Sequence, residues 1–529
     1  MSGFGERFRR VGYSVPKPLI RVEGKPIIAH VVDLFPGEHD FTFICNSDHL
    51  DHEAWRMEEV LRSLAKSVSI VSISPHKLGP VHAVLQAVST LDLEGPVVVN
   101  YADFSCRWDF GAFLQDTLDR QLDASVPAYR GFHPHSSGTT NYAYIRERDG
   151  FLLEIQEKQP FTADKTAEFA SSGAYFFRTA GLMKDVFTEA LGRHLSVGGE
   201  YYASSAVGIL AERGARVGVY ELQHFMQWGT PEDLTEYEGN SRFFRALGRA
   251  ATSATPIVGT GPGLILASGA GQRFRDAGYS VPKPLLPLNR QPMAVQAAAA
   301  VESSLLTVAS CSDEITMVGL ASTRFDETYL LPKPSRGQAE SAAMLVGKFS
   351  DSLLSFFSIF PCDTLVGDTS DRLEHLVGQD GDFLIVWVQQ PTMFSRRKPE
   401  TFGWVWLENE TARTALKEKP DSDEALIMTG IFTFSSVSIF ERLYEDVMQT
   451  FSPTQPEVYL DHFVEVAQKF GIRVVLFEPE LVAILGTPFE YETFRYWQDC
   501  FDGWAGHPYR REVDPFSKQG LSAGGERAS

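Results

Sequence analysis

Short runs of apolar, β-branched residues alternate along the chain with stretches whose apolar residues recur at helical spacing. In the first half the apolar runs are FTFIC (41–45), VSIVSI (68–73) and GPVVVNYAD (95–103). The segments EAWRMEEVLRSLAK (53–66) and HAVLQAVSTL (82–91) lie between them. Their spacing predicts helices, so the first half is expected to alternate strands with helices.

The second half repeats this arrangement. Its apolar runs are GLILASG (263–269), EITMVGLA (314–321), FFSIFPCD (356–363) and DFLIVWVQ (382–389). Continuously apolar strands joined by helices are typical of a largely parallel sheet with helices on both faces. The predicted fold class is therefore α/β, with three layers (α/β/α) in each half and mostly parallel, mixed sheets.

A nearly identical phrase occurs near the start of each half. Residues 2–19, SGFGERFRRVGYSVPKPL, match residues 268–285, SGAGQRFRDAGYSVPKPL, at all but four positions. This match predicts a duplicated domain, and 529 residues suffice for each copy to bury its own core. The expected organisation is a domain at 1–248, a Pro- and Gly-marked linker at 249–262, a domain at 263–512 and a disordered tail at 513–529.

The two copies differ in what precedes this phrase. The run GLILA (263–267) would deliver the second glycine-rich loop from a buried strand, whereas only Met1 precedes Ser2. The strand that feeds a phosphate-binding loop lies centrally in a doubly wound sheet. We therefore expect the first copy to lack its leading strand and the natural start to lie upstream of Met1.

Composition excludes several classes of function. The chain is 43% hydrophobic and 22% charged, and no apolar run approaches the roughly 20 residues that cross a bilayer. A formal net charge of -20 opposes binding to nucleic acid. The five cysteines form no C-x-x-C pair, and the first residues lack the apolar core of a secretory signal. These features predict a cytoplasmic protein without membrane or nucleic-acid partners.

The repeated phrase has the composition of a phosphate site. A glycine-rich loop lets backbone N–H groups approach phosphate oxygens, and the candidate glycines are Gly3, Gly5, Gly269 and Gly271. Positive charge would come from Arg7 and Lys17 in one copy and from Arg273 and Lys283 in the other. The prolines of P-K-P-L stiffen the segment that presents the lysine. Since neither G-x-x-x-x-G-K-[ST] nor a complete G-x-G-x-x-G occurs, the pattern predicts a different kind of triphosphate site.

With Ser in place of the first Gly, each half resembles the pattern G-G-x-G-x-R, gap, P-K-P of the nucleotidyltransferases. These enzymes join a nucleoside triphosphate to a sugar 1-phosphate, or a similar phosphorylated acceptor, and release pyrophosphate. The resemblance covers nearly the whole chain in two tandem copies and is closest to short bacterial-type enzymes. It implies a nucleotide-binding fold of GT-A or Rossmann-like type, Mg²⁺ as cofactor, and an NTP and a phosphorylated small molecule as partners.

The resemblance also implies a metal site. Asp103 and Asp363, each just after an apolar strand, match the family's magnesium-binding aspartate. The family's second metal ligand, the aspartate of D-x-G-T-P, corresponds to Gln227 in the first copy and Ile484 in the second. A glutamine oxygen can serve a hard cation, whereas an isoleucine cannot. Two-point metal binding is therefore expected in the first copy alone.

Further motifs of the family pattern concern the acceptor and the nucleotide base. The family's E-K-P glutamate holds sugar hydroxyls, its lysine meets the sugar phosphate, and a glycine-bearing strand lies beside the sugar. The residues that match these acceptor-side motifs are Glu157, Lys158, Gly173, Glu418, Lys419 and Gly430. The residues that match the nucleotide-binding loop and helix start are Gly79, His82, Gly337 and Ser341. Because His82 corresponds to Glu340, the copies are not expected to read the same nucleotide identically.

The residue types suffice for a mechanism without a general base. The acceptor phosphate has a second pKa of about 6, so its oxygen is largely ionised near neutral pH and can attack the α-phosphorus directly. Arg7, Lys17 and Mg²⁺ would neutralise the charge that passes to pyrophosphate. The equivalent charges in the second copy are Arg273 and Lys283.

The main hypothesis is a tandem nucleotidyltransferase that makes a nucleotide-activated precursor for polysaccharide or glycoconjugate synthesis. One alternative is a cytidylyltransferase for a non-sugar phosphate such as phosphocholine. Another is a nucleotide-binding regulatory protein with one inactive copy, which Ile484 favours for the second copy. Glycosyl transfer is disfavoured because R-F and P-K-P-L belong to pyrophosphate release. The base, the acceptor, the pathway and assembly into a homo-oligomer stay open.

Overall fold

Two compact units, residues 1–239 and 240–529, make up the chain, and they are called the first and second domains below. The division falls within the helix Pro231–Ala250, before the boundary expected at 248. A computed structural model describes residues 1, 3, 5–138, 142–250, 261–288, 291–299, 306–310, 313, 325–331, 335–347, 356–367, 371–450 and 457–514. The expected linker at 249–262 and tail at 513–529 lie mostly outside these residues, as does the strand expected at 314–321.

Strands and helices alternate along the first domain. Its strands are β1 (Arg21–Val22), β2 (Lys25–Pro26), β3 (Asp40–Asn46), β4 (Ser67–Ile73), β5 (Val97–Asn100), β6 (Phe104–Arg107), β7 (Ala124–Tyr129), β8 (Ala143–Arg148), β9 (Phe151–Glu157), β10 (Phe169–Ser171), β11 (Ala174–Phe177), β12 (Val217–Glu221) and β13 (His224–Gln227). Its helices are Glu6–Arg10, Ile27–Val32, Ser47–Leu50, Met57–Arg62, Pro80–Ala87, Phe110–Asp119, Ala180–Gly192, Ala203–Glu212 and the start of Pro231–Ala250. Short 3₁₀ helices are Lys17–Leu19, Glu53–Trp55, Val88–Thr90 and Pro134–Ser137.

Seven of the described strands of this domain form a mixed sheet in the order β10-β8-β9-β12-β7-β11-β5, and β1–β2, β3–β4 and β6–β13 form two-stranded sheets. One face packs on the helices Ala180–Gly192 and Ala203–Glu212 through residues such as Phe187 and Leu210. The other face carries an aromatic cluster around Phe113 and Phe225. Apolar side chains on both faces explain why the central strands are continuously apolar in sequence.

The second domain has the same kind of architecture. Its strands are β14 (Gly263–Leu266), β15 (Pro287–Leu288), β16 (Gln291–Pro292), β17 (Leu306–Ser310), β18 (Glu327–Leu330), β19 (Phe357–Pro361), β20 (Thr364–Gly367), β21 (Phe383–Gln389), β22 (Gly403–Glu408), β23 (Thr411–Leu416), β24 (Leu426–Phe434), β25 (Arg473–Phe477) and β26 (Leu481–Ile484). Its helices are Gln272–Asp276, Met293–Ala299, Gln338–Val346, Arg372–Val377, Met393–Arg397, Val437–Thr450, Phe463–Lys469 and Pro488–Gly503. Short 3₁₀ helices are Lys283–Leu285, Pro399–Thr401, Leu460–His462 and Arg511–Val513.

The main sheet of the second domain has the order β18-β17-β14-β19-β24-β21-β25. Strand β14, which leads to the glycine loop, pairs in parallel with β17 on one side and β19 on the other. In the described part of the first domain, β3 and β4 pair in a sheet of their own and β5 ends the main sheet. The predicted α/β class with mixed sheets is confirmed in both domains.

The helix predicted over 53–66 differs from the observed structure. It is divided into Glu53–Trp55 and Met57–Arg62 by Arg56, which has a φ of 45°. The ring of His52 stacks on that of Trp55 with centroids 3.8 Å apart. This local aromatic contact accompanies the break in the helix. The spacing of apolar residues alone does not predict such a break.

Candidate functional site

The glycine loop of each domain leads into a one-turn helix. Gly5 and Gly271 precede these helices with φ of 64° and 63°, a left-handed conformation that glycine adopts without strain. Phe8 anchors the first helix, being 2% exposed and packed edge-on against Tyr13. Arg7, next to this anchor, is exposed. Phe274 and Tyr279 repeat the anchor in the second domain, where Arg273 is likewise exposed.

The lysine of P-K-P-L meets the strand-end aspartate in both domains. Lys17 begins a 3₁₀ helix, and its Nζ donates a 2.8 Å hydrogen bond to Oδ2 of Asp103. Lys283 Nζ lies 2.6 Å from Oδ2 of Asp363 in the same arrangement. Burial acts to lower the pKa of Lys283, but the charge of Asp363 outweighs it and the pKa is raised above its ordinary value. The sequence motifs, 86 residues apart in the first domain, thus converge as a charged pair.

Gln227 completes this corner of the first domain. Strand β13 pairs with β6 so that Gln227 is opposite Phe104, and Trp228 N–H donates to the Asp103 carbonyl over 3.0 Å. A Cβ on Gly229 would lie 2.7 Å from Nε2 of Gln227 and 3.4 Å from Asp103 Oδ2. The carboxylate and the amide therefore face one point, and a half-turn of the amide group would bring its oxygen to that point. Together with phosphate oxygens and water, these are donors that Mg²⁺ accepts.

The second domain has a different residue set at this corner. Ile484 is opposite Thr364, and Leu485 N–H donates to the Asp363 carbonyl over 2.7 Å. A Cβ on Gly486 would lie 3.3 Å from Asp363 Oδ2, 3.7 Å from Ile484 Cγ2 and 3.8 Å from Oε2 of Glu490. Burial raises the pKa of Glu490 to about 8, and the charge of Asp363 acts in the same direction.

Donor sets for Mg²⁺ therefore differ between the domains. Asp103 and Gln227 fit the cation, whereas Asp363 faces an aliphatic side chain at the matching position. Within the described residues, no group of three or more His, Cys, Asp and Glu side chains converges to hold a metal ion. At a site formed by Asp103 and Gln227, phosphate oxygens and water would supply the other ligands of the cation.

An acceptor-side cluster in the first domain surrounds the end of β9. Glu157 is opposite Ala143 in the strand register, and its Oε2 accepts a 2.6 Å hydrogen bond from Ser204 Oγ. Burial raises the pKa of the Glu157 carboxyl, and the bond from Ser204 opposes that shift. Lys158 follows with a φ of 60°, and its Nζ donates to Tyr202 Oη over 2.6 Å. The structure brings Glu157 and Lys158 together with two partners, Ser204 and Tyr202.

Gly173 lies where a side chain would collide with Tyr101. Its φ is 96°, and a Cβ would lie 2.9 Å from the Tyr101 ring. Tyr101 N–H donates to the Gly173 carbonyl over 3.0 Å. In the second domain Gly430, with a φ of 81°, faces Pro361, which occupies the place of Tyr101. Tyr101 is a further residue of the first site that sequence reasoning missed.

The acceptor-side lysine of the second domain is Lys417. Lys417 has a φ of 58°, its Nζ lies 4.4 Å from the centroid of the Tyr459 ring, and its N–H donates to the Phe402 carbonyl. Lys158 makes the same contacts with Tyr202 and the Tyr142 carbonyl. The position of Glu157 is taken by Leu416, which is opposite Gly403. The residues expected from E-K-P, Glu418 and Lys419, are exposed side chains one and two positions beyond the cluster.

The nucleotide-side segment packs closely against the acceptor-side segment. Gly79 has a φ of 87°, and a Cβ there would lie 2.6 Å from the backbone nitrogen of Tyr201. Val81 N–H donates to the Tyr201 carbonyl over 3.1 Å. Gly337, with a φ of 125°, is as close to the backbone of Val458. Both glycines are therefore required where two loops touch.

The helix that follows differs between the domains as expected. His82 is half-buried, and its Nδ1 lies 3.1 Å from Nε2 of Gln86. Ser341 is buried and its hydroxyl lies 2.9 Å from that of Ser268 at the start of the glycine loop. The Ser341 hydroxyl thus ties the loop to the helix, and Ala83 takes its place in the first domain.

The sequence profile of the family described as Nucleotidyl transferase matches residues 1–205 and 262–466, which together exceed half of the chain. The Bifunctional protein GlmU of Alkaliphilus metalliredigens is 26% identical over 243 residues, 45% of this chain and 50% of that protein. GlmU of Burkholderia multivorans is 28% identical over 220 residues, covering 41% and 44%. The chain thus spans about half the length of these curated relatives.

Solved structures are also similar. A nucleoside-diphosphate-sugar pyrophosphorylase of Vibrio cholerae has a TM-score of 0.36 and 19% identity, covering 45% of this chain and 97% of that one. The inositol-1-phosphate CTP transferase of T. maritima has a TM-score of 0.36 and 17% identity, covering 47% and 100%. No helix among the described residues is long and apolar enough to cross a membrane. With both family matches beginning at a glycine loop and reaching past the acceptor-side cluster, the chain belongs to the nucleotidyl transferase family.

Proposed function

We propose that the first domain transfers a nucleotidyl group from an NTP to a sugar 1-phosphate and releases pyrophosphate, making an activated precursor for polysaccharide or glycoconjugate synthesis. The observation that carries this proposal is the convergence of Lys17, Asp103 and Gln227 at one corner. A phosphate-binding loop leads into that corner. Family membership supports the reaction class, and the chain's own residues support the assignment to the first domain.

Each residue of the candidate site has its own role in an in-line displacement at the α-phosphorus. Arg7, exposed beside the glycine loop, is available to the departing phosphates, and Lys17 leaves Asp103 to meet the α-phosphate. Asp103 and Gln227 would hold Mg²⁺, which supplies charge neutralisation at the phosphates when bound. Glu157 orients acceptor hydroxyls, and Lys158 meets the acceptor phosphate. Because the acceptor oxygen is already ionised, positioning and electrostatics account for the catalysis.

A polyhydroxy acceptor is favoured over phosphocholine. Glu157 and Ser204 form a hydrogen-bonding pair suited to hydroxyl groups, whereas choline offers a quaternary ammonium that prefers aromatic faces. The ring of Tyr202 in this cluster is already covered by the Lys158 ammonium, 4.5 Å from its centroid. For the second domain, Ile484 favours nucleotide binding with little turnover.

Pyrophosphate release by the full-length chain tests the proposal. Each of the four common NTPs is combined with glucose 1-phosphate, inositol 1-phosphate or phosphocholine in the presence of Mg²⁺. We expect release with one or more sugar or polyol phosphates and its loss in EDTA. Release with phosphocholine alone would favour the alternative acceptor, and absence of release with all three would contradict the proposal.

A further inference from the structure

The two domains place their acceptor-side carboxylate on different elements. In the first domain Glu157, at the end of β9, is paired with Ser204. In the second domain the position of Glu157 holds an aliphatic residue, Leu416. A carboxylate, Asp461, appears instead in the 3₁₀ helix Leu460–His462.

Three independent contacts establish that Asp461 corresponds to Ser204. The strand register pairs Ala143 with Glu157 and Gly403 with Leu416. The lysine that follows each strand contacts Tyr202 in one domain and Tyr459 in the other. Ser204 and Asp461 each come two residues after that tyrosine. The loops before them also bond alike, since Val81 and Ala339 donate to the carbonyls of Tyr201 and Val458.

A third difference between the domains, besides Leu416 in place of Glu157 and Asp461 in place of Ser204, leaves space for the Asp461 carboxylate. Ala143 of the first domain corresponds to Gly403, whose missing Cβ would overlap Oδ2 of Asp461. The same point lies 2.9 Å from Cε of Met428, two residues before Gly430. Gly403 has no positive φ, so its role is space and not backbone conformation. Ala143, Glu157 and Ser204 have thus been replaced together by Gly403, Leu416 and Asp461.

The surroundings of Asp461 suit a ligand-binding carboxylate. Its side chain is half-buried, and the Lys417 ammonium is close enough to act on its ionisation. Withdrawing a carboxylate even partly from water costs free energy, and such a group is retained where its charge has a use. A packing role alone would be met better by the small Ser and Ala found in the first domain.

We propose that Asp461 binds the hydroxyl groups of a phosphorylated polyhydroxy acceptor in the second domain, the role that Glu157 has in the first. This inference rests on the proposed function for its substrate class. The carboxylate is supplied by the 3₁₀ helix Leu460–His462 and not by the strand, and on a shorter side chain. The second domain therefore holds its acceptor in a different orientation and has its own acceptor preference.

Binding stoichiometry in the full-length chain tests this role. Equilibrium dialysis with radiolabelled glucose 1-phosphate, and separately inositol 1-phosphate, is carried out on the wild type, Glu157→Gln, Glu157→Gln/Asp461→Asn and Glu157→Gln/Glu418→Gln. For the phosphate that binds, we expect two bound equivalents in the wild type and one in Glu157→Gln. Glu157→Gln/Asp461→Asn should bind none, even at ligand concentrations ten times higher, and Glu157→Gln/Glu418→Gln should bind one. Glu418→Gln is the matched control, because it removes an exposed carboxylate of the same segment.

The outcomes separate the two proposals. Undiminished binding in the Asp461→Asn variant, or a wild type with one equivalent that Glu157→Gln abolishes, overturns the role of Asp461 and leaves the first domain's function intact. Absence of binding by the wild type, together with absence of pyrophosphate release, overturns both.

Restoring the first-domain arrangement provides a test that loss of folding does not imitate. We expect Leu416→Glu/Asp461→Ser, in the Glu157→Gln background, to bind the one equivalent of acceptor that Glu157→Gln/Asp461→Asn loses. Gly403→Ala should abolish binding by the second domain when Asp461 is present and be tolerated in that double variant. Failure of the exchange to restore binding in a chain with a normal melting temperature would contradict the proposal.

Discussion

The ammonium of Lys17 donates a 2.8 Å hydrogen bond to the carboxylate of Asp103, and neither side chain is fully buried. Each group thus neutralises the other before substrates arrive. A triphosphate and its cation offer each of them a new partner of opposite charge. The pair is therefore poised to separate on binding, with Lys17 moving to phosphate and Asp103 to the cation.

Removing either positive charge of the first loop should slow turnover. We expect Arg7→Ala and Lys17→Ala each to lower kcat by roughly 10² to 10³, the usual effect of losing one preorganised charge at a transition state. Pyrophosphate release at saturating NTP and acceptor measures the effect. Lys25→Ala is the control, because Lys25 is an exposed lysine paired with Asp33 away from the loop. Near-normal rates in both loop variants would contradict the assignment.

The two strand-end aspartates should differ in importance. We expect Asp103→Ala to remove most synthetic activity and Asp363→Ala to spare it, because Gln227 supports Asp103 whereas Ile484 gives Asp363 no oxygen ligand. Loose metal positioning is costly where catalysis depends on alignment. Matched full-length variants at saturating substrates measure this ranking. Equal losses would indicate two coupled or equally active sites, and the reverse ranking would place synthesis in the second domain.

Much of the fold was predictable because its strands are short runs rich in apolar and β-branched residues. The strands expected at 41–45, 68–73 and 382–389 were found within a residue at each end. The structure also brings Lys17 to Asp103 and Lys283 to Asp363, residues that the motifs assign to one site in each copy. Repeated motifs locate such residues well, because their spacing reflects strand and loop lengths common to both copies.

The acceptor side of the second domain was not predictable from its motif. The segment LKEKP contains two lysines. The E-K-P pattern matches Lys419 to Lys158, whereas the strand register and the contact with Tyr459 show that Lys417 is the counterpart of Lys158. The relocation of the carboxylate to Asp461 depends on Gly403 and Leu416, which are distant in sequence. Such compensation is visible only when the strands are paired.

Gly79→Ala should disturb the contact between the nucleotide-side and acceptor-side segments. The change adds a methyl group 2.6 Å from the Tyr201 nitrogen and forces alanine into a φ of 87°. We expect the free energy of unfolding of the first domain to fall by about 3 kcal/mol, combining overlap with backbone strain. Gly12→Ala is the control, because Gly12 has a φ of 93° but open space around it. Chemical denaturation of both variants separates the two causes, and equal losses would mean that the contact with Tyr201 contributes nothing.

The stability of the second domain should depend on pH through Asp461. Burial raises the pKa of this carboxyl to about 7 from 3.8, against its own backbone N–H and the charge of Lys417. The folded chain therefore binds the proton more tightly than the unfolded chain, and the free energy of unfolding falls as pH rises from 3.8 towards about 7. Asp461→Asn removes the contribution of this carboxyl, while that of Glu490, whose pKa burial also raises, is retained. We expect its second-domain melting temperature to exceed that of the wild type by roughly 5 °C at pH 8 and to equal it near pH 4.

Acceptor binding by the second domain should have the opposite dependence when Asp461 is present, because the ionised carboxylate is the better acceptor of hydroxyl hydrogen bonds. In the Glu157→Gln background, the affinity for glucose 1-phosphate, or for inositol 1-phosphate if that is the ligand, should rise as pH increases through about 7. Exposed Glu418, replaced by Gln, should leave both profiles unchanged. Calorimetric melting and equilibrium dialysis over pH 4 to 8 measure the two trends. A stability profile that Asp461→Asn does not alter would show that the carboxyl titrates like an exposed one, with no cost of burial for a ligand to offset.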